Sequence, residues 1–161
     1  MKKTIDSVDV DRRTVLRGAG ALAVSGMLAG CGGDDGNGNS GDGDVPSDVS
    51  DYLSDANNFD GSVADETDAD SVTVMVGAGS NNLAFDPAAV RISTGTSVTW
   101  EWTGQGGGHN VVAEDGTFTS GDEFVSEEGH TYEYTFEESG NYNYACTPHK
   151  GSGMKGAVIV E

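Results

Sequence analysis

The chain has 161 residues, 25 of them glycine, and carries 27 acidic residues against 8 lysines and arginines. That length allows one modest domain with extensions, and a formal charge of −19 repels nucleic acid backbones, which excludes them as partners. Five of the eight basic residues, Lys2, Lys3, Arg12, Arg13 and Arg17, lie before residue 31; from there on, 24 acidic residues face only Arg91, Lys150 and Lys155. Such a surface strains a compact state by self-repulsion. At molar salt the Debye length is about 3 Å and the repulsion is screened, so the composition points to a salt-loving host.

The amino terminus has the form of an export signal. Asp11-Arg12-Arg13-Thr14-Val15-Leu16 sets a twin arginine before apolar residues, the mark of the twin-arginine route. Gly18 to Gly30 is small or apolar almost throughout and too short to span about 30 Å of hydrocarbon. It runs into Leu28-Ala29-Gly30-Cys31, which resembles the lipobox of exported lipoproteins. That resemblance implies a diacylglycerol on Cys31, which would begin the mature chain at the outer face of the cell membrane. Two acyl chains anchor stably where one does not. Residues 1–30 are thus expected to be a signal peptide, and the Gly/Asp-rich residues 31–47 an extended, self-repelling tether. Cys146 is the one other cysteine. With Cys31 lipidated it is a lone thiol in an oxidising compartment, to be protected by burial or by a metal. A Cys31–Cys146 disulfide across the long spacer is the weaker alternative.

The remaining residues, 48–161, are expected to form one all-β domain behind a short helix. Val49, Tyr52, Leu53 and Ala56 recur at helical spacing over residues 48–58, with Ser47 or Asp48 as N-cap. From Ser71 the period changes to two. Strands are predicted around Val72–Val76, Ala88–Ser93, Val98–Trp102, His109–Ala113, Thr131–Glu137, Asn141–Cys146 and Gly156–Glu161. Short alternating strands between glycine-rich turns predict an antiparallel β-sandwich. There is no internal repeat and no second domain.

The chemistry gathers in Tyr142 to Met154, where Cys146, His149 and Met154 follow at short spacing, with His109 upstream behind three glycines. Tyr142, Tyr144 and Cys146 share one strand face, so inward tyrosines carry the thiol inward. The loop after it then brings His149 and Met154 to the same pole. Two imidazoles, a thiolate and a thioether are the donors of a trigonal His₂Cys copper site with a long axial Met. Zinc shares these residue types, but closed zinc sites avoid thioethers. Taken singly, each residue has an ordinary reading: a satisfied histidine, a buried thiol, a core methionine. His130 is expected to be a surface histidine, Trp100, Trp102 and the tyrosines core packing, and Lys150 and Lys155 solvated charges.

Together, Asp86-Pro87, Trp100-Glu101-Trp102, Gly107-Gly108-His109-Asn110, the Tyr-x-Tyr-x-Cys-x-Pro-His run ending at His149, and Gly153-Met154-Lys155-Gly156 resemble the cupredoxins of the plastocyanin group, and within it the halocyanin type, the membrane-attached members from haloarchaea. The resemblance spans roughly residues 48–161. It implies a Greek-key sandwich with one type 1 copper bound by His109, Cys146, His149 and axial Met154. Asn110 would tie the two ligand loops together. It also implies a monomeric carrier of single electrons, not an enzyme, exchanging them with redox proteins in the membrane or at its outer face. Copper storage or delivery is the competing function, and a metal-free adhesion sandwich the alternative from another class. A multicopper oxidase is excluded by size and by the lack of further histidines.

Overall fold

The computed structural model describes residues 44–161; the signal peptide, Cys31 and most of the tether lie outside the described residues. The elements are α1 (Ser47–Tyr52), β1 (Ala64–Asp65), β2 (Ser71–Ala78), β3 (Ala84–Asp86), β4 (Ala89–Ile92), β5 (Ser97–Trp102), β6 (Val112–Ala113), β7 (Thr131–Thr135), β8 (Gly140–Ala145), a 3-10 helix (Thr147–Ser152) and β9 (Lys155–Val160). One sheet runs β1-β4-β9-β8-β6 and the other β3-β2-β5-β7. The two form the expected all-β sandwich, but their pairing is mixed. β2 lies parallel to β5, and β4 parallel to both β1 and β9. Period-two alternation reports which face a residue takes and is blind to the direction of the neighbouring strand.

The alternation itself is realised. Val72, Val74 and Val76 of β2 and Val98, Trp100 and Trp102 of β5 point into the core. Trp100 lies at its centre, stacked on Phe118 and Tyr132 at 5.2 and 5.6 Å and edge-on to Tyr144 at 5.4 Å. Aromatic pairs of this kind add about 0.5–1.5 kcal/mol each beyond area burial. β9 is buried on both faces: Val158 and Val160 face the core, while Ala157 and Ile159 face outward under Val49 and Leu53 of the α1 segment. That double burial accounts for the nearly unbroken apolar run at the carboxyl end.

Three expectations are corrected in detail. The helix stops at Tyr52 instead of reaching residue 58. Pro46 is its N-cap, and no side chain caps it. Beyond it Ala56 N–H turns back to Leu53 O, Asn57 N–H leaves for Gly153 O, and Asn58 takes φ 68°. The strand expected over His109–Ala113 shrinks to β6, because His109 pairs with Val125 and the Val111 N–H donates to the Ser120 hydroxyl. β1 and β3 are too short to leave a periodic signal.

The packing between β8 and β9 leaves no room at Gly156, where a Cβ would overlap the buried Tyr144 ring. Gly156→Ala is therefore expected to destabilise the protein by about 1–3 kcal/mol through overpacking, read as a lower urea midpoint. An unchanged midpoint would contradict this packing.

Candidate metal centre

Cys146 directly follows β8, as the N-cap of the 3-10 helix, and is completely buried. Pro148 then sits in the first turn of the 3-10 helix, which carries His149, and Gly153 stops that helix in the left-handed region at φ 87°. A Cβ on Gly153 would stand 2.6 Å from the Asp55 carbonyl, so the tight return needs glycine twice over. The backbone then closes on itself. His149 N–H donates to Cys146 O, Met154 N–H to His149 O and Cys146 N–H to Met154 O, each at 3.1 Å. Three side chains from one short loop are thereby held at one end of the core.

His109 arrives from the other side and is fixed as firmly. Its N–H and C=O both pair with Val125 at 2.8 and 2.9 Å, and Trp102 Nε1–H donates to its carbonyl at 3.1 Å. Its ring Nε2 lies 2.8 Å from the Gln105 carbonyl. A carbonyl only accepts, so Nε2 carries the proton and Nδ1 presents a lone pair. That Nδ1 lies 3.1 Å from His149 Nδ1 and 3.6 Å from Cys146 Sγ, and Sγ lies 3.5 Å from His149 Nδ1. Close backbone approach here is permitted by glycine: a Cβ on Gly106 would overlap the Asn82 carbonyl and come within 3.0 Å of His109 Nε2.

The sequence-predicted residues are placed as follows. His109, Cys146 and His149 form the one cluster of metal-ligating side chains of these types among the described residues. Met154 is fully buried in the same core cluster as Cys146. Asn110 Oδ1 accepts the Thr147 N–H at 2.8 Å, and its Nδ2 donates to Thr147 Oγ1 and Gly121 O, both at 3.2 Å, so it joins the His109 segment to the residue after Cys146. His130 lies outside the cluster, edge-on to Trp102. Lys150 and Lys155 are ion-paired with Glu114 and Asp55, both at 2.6 Å. The roles of Gln105, Trp102 and Val125 escape sequence reading because they work through a carbonyl, a strand bridge and a distant indole. The glycine run Gly104–Gly108 is the one signal that backbone is crowded there.

Three electron-pair donors facing each other at 3.1–3.6 Å repel unless a proton or a cation lies among them. Donors so spaced can all sit about 2.0–2.3 Å from one ion, the usual imidazole and thiolate bond lengths for an ion of this size. With Met154 buried in the same core cluster as Cys146, the residue types available are the soft nitrogen and sulfur mixture that favours copper.

Comparison with known proteins agrees with this geometry. The family described as copper binding proteins, plastocyanin/azurin family, matches residues 72–161. Halocyanin from Natronomonas pharaonis is 49% identical over 95% of this chain and 99% of its own length. The chloroplastic plastocyanin of Tetradesmus obliquus is 38% identical over 58% of this chain and 69% of its own. A mutant fern plastocyanin superposes with a TM-score of 0.50 over 55% of this chain and 99% of its own, at 24% identity, a likeness of fold.

Burial holds the His109 imidazole below its usual value of 6.5, reinforced by the neighbouring His149 and opposed by the Gln105 carbonyl. Burial pushes the Cys146 thiol above its usual 9.0, opposed by the Asn110 and His149 backbone. The lowered group contributes stability above pH 6.5 that is lost as pH falls through its folded value. The raised group contributes stability below pH 9.0 that is lost as pH rises through its folded value. The reduced, copper-free protein is therefore expected to be most stable between these limits in urea titrations run across pH. Stability that climbs as the pH drops below 6.5 would contradict the neutral, buried His109.

Proposed function

The chain belongs to the plastocyanin/azurin family of copper-binding proteins, and from that premise we propose that it carries single electrons between respiratory-chain partners at the outer face of the cell membrane, held there by a lipid on Cys31 after twin-arginine export. The family is one of blue copper electron carriers, and copper is the cofactor. In our reading His109, Cys146, His149 and Met154 would hold the ion, and Asn110 would steady the Cys146 side. The observation that carries it is the convergence of two imidazole nitrogens and a thiol sulfur in one dry corner of the core.

Copper supplies the exchange of one electron when bound. The protein's residues supply the rest. Burial of Cys146, Met154 and His109 excludes water and guards the thiol from oxidation. The closed backbone ring through Cys146, His149 and Met154 keeps the donors in place as the charge among them changes, which limits reorganisation. His149 is half-buried, with Thr147 and Pro148 exposed beside it, so its ring is the shortest way out for the electron. Such enclosure suits a resident redox centre better than storage or delivery, which need an open site that exchanges its ion. No helix among the described residues is long and apolar enough to cross a membrane; the proposed attachment is the acyl chains on Cys31, and the proposed working form is a monomer.

Cys146→Ser is expected to abolish the intense blue absorption of the oxidised, copper-loaded protein, because the thiolate is its one anionic donor; persistence of the colour would refute the ligand assignment. Cys31→Ala should move the protein from the membrane fraction to the soluble one when cells are fractionated. A variant still sedimenting with membranes would remove the lipid anchor.

A further inference from the structure

The residues just before the sandwich do more than lead into it. Asn57 lies outside the span shared with the plastocyanin/azurin family, yet it is bonded to both banks of the metal centre. Its backbone N–H donates to Gly153 O at 2.7 Å. Its side-chain Nδ2 donates to Ser152 O at 2.8 Å and to Leu83 O at 2.7 Å. On the first bank, Ser152 and Gly153 lead directly into Met154, whose backbone is bonded to both His149 and Cys146. On the second, Leu83 follows Asn82, whose carbonyl is seated against Gly106 beneath His109 Nε2. Asn57 uses both hydrogens of its amide to span these two loops, and the Asp55 carbonyl closes over Gly153 beside it.

We infer that Asn57 is a positioning residue for the copper centre: it fixes the loop that carries His149 and Met154 relative to the turn that supports His109. It touches none of the donor atoms and acts through Ser152, Gly153 and Leu83. Outer partners that orient metal ligands tune the metal strongly even without contacting it, and a loop tied at its far end opens less often. The inference rests on the ligand set proposed above.

Asn57→Ala removes both side-chain bonds and leaves the backbone bond. In the copper-free protein, amide hydrogen exchange at Gly153 and Met154 is expected to rise by about tenfold. In the copper-loaded protein, the midpoint potential and the visible bands are expected to shift from wild type. Asn57→Ser, which keeps one donor, should shift both less and in the same direction, and it stands in if the alanine variant does not fold. Asn58→Ala is the control. Its side chain bonds to Phe85 O and Asp86 Oδ1, and its backbone sits at φ 68°, so it should lower the urea midpoint and leave exchange at Met154, potential and bands at wild-type values. Asn57 variants that lose stability while exchange, potential and spectrum stay at wild-type values would overturn the inference. A wild-type protein that binds copper without turning blue would instead overturn the ligand set on which it rests.

Discussion

The hydrogen bond between His109 Nε2 and the Gln105 carbonyl, 2.8 Å long, decides what the rest of the site can do. It commits the proton to one ring nitrogen and turns the other, lone pair outward, toward Cys146 and His149. Were the tautomer reversed, an N–H would point into the cluster and no ion could be shared. The bond in turn requires the chain to double back within four residues, and Gly104 and Gly106, at φ 76° and 77°, make that turn without strain. A backbone carbonyl, supplied by a glycine-rich loop, thus sets the chemistry of a buried imidazole.

The site is also the end of the hydrophobic core, not an addition to it. Cys146 and Met154 belong to the same buried cluster as Trp100, Tyr144 and Phe85, so the packing that stabilises the sandwich also dries and immobilises the donors. Two layers support them from outside. Asn110 joins the His109 segment to Thr147, the residue after Cys146, across the pole. The α1 segment covers the outer face of β9, and just beyond it Asp55 pairs with Lys155, the residue after Met154. Among the described residues each of the three basic side chains, Arg91, Lys150 and Lys155, is taken up in an ion pair. The Lys150–Glu114 pair, exposed on both sides, contributes at most about 1 kcal/mol, and the protein's remaining surface charge is overwhelmingly negative.

Much of this was legible in the sequence because it rests on local pattern. Alternation placed the inward faces of β2, β5, β7 and β8, and the shared face of Tyr144 and Cys146 carried the thiol into the core. The Cys-x2-His-x4-Met spacing placed three donors on one loop, and the structure gives that loop a single backbone-bonded form. What did not show was non-local. Parallel pairing of β2 with β5 leaves the same alternation as antiparallel pairing. His109 read as the start of a strand, yet its partner Val125 is sixteen positions away on a loop with no strand signal. Helical spacing in the sequence runs on to Ala56, but the helix stops earlier and Asn57 N–H finds its acceptor in Gly153 O. The export signal, the lipidation site and most of the tether lie outside the described residues and stand on sequence alone.

The most direct test of the central claim is X-ray absorption at the copper edge of the metal-loaded, full-length protein. One sulfur and two imidazole nitrogens bound close to the ion, at one copper per chain, are the expected result. A first shell made only of nitrogen and oxygen, with the Cys146 thiol still free to react, would contradict it.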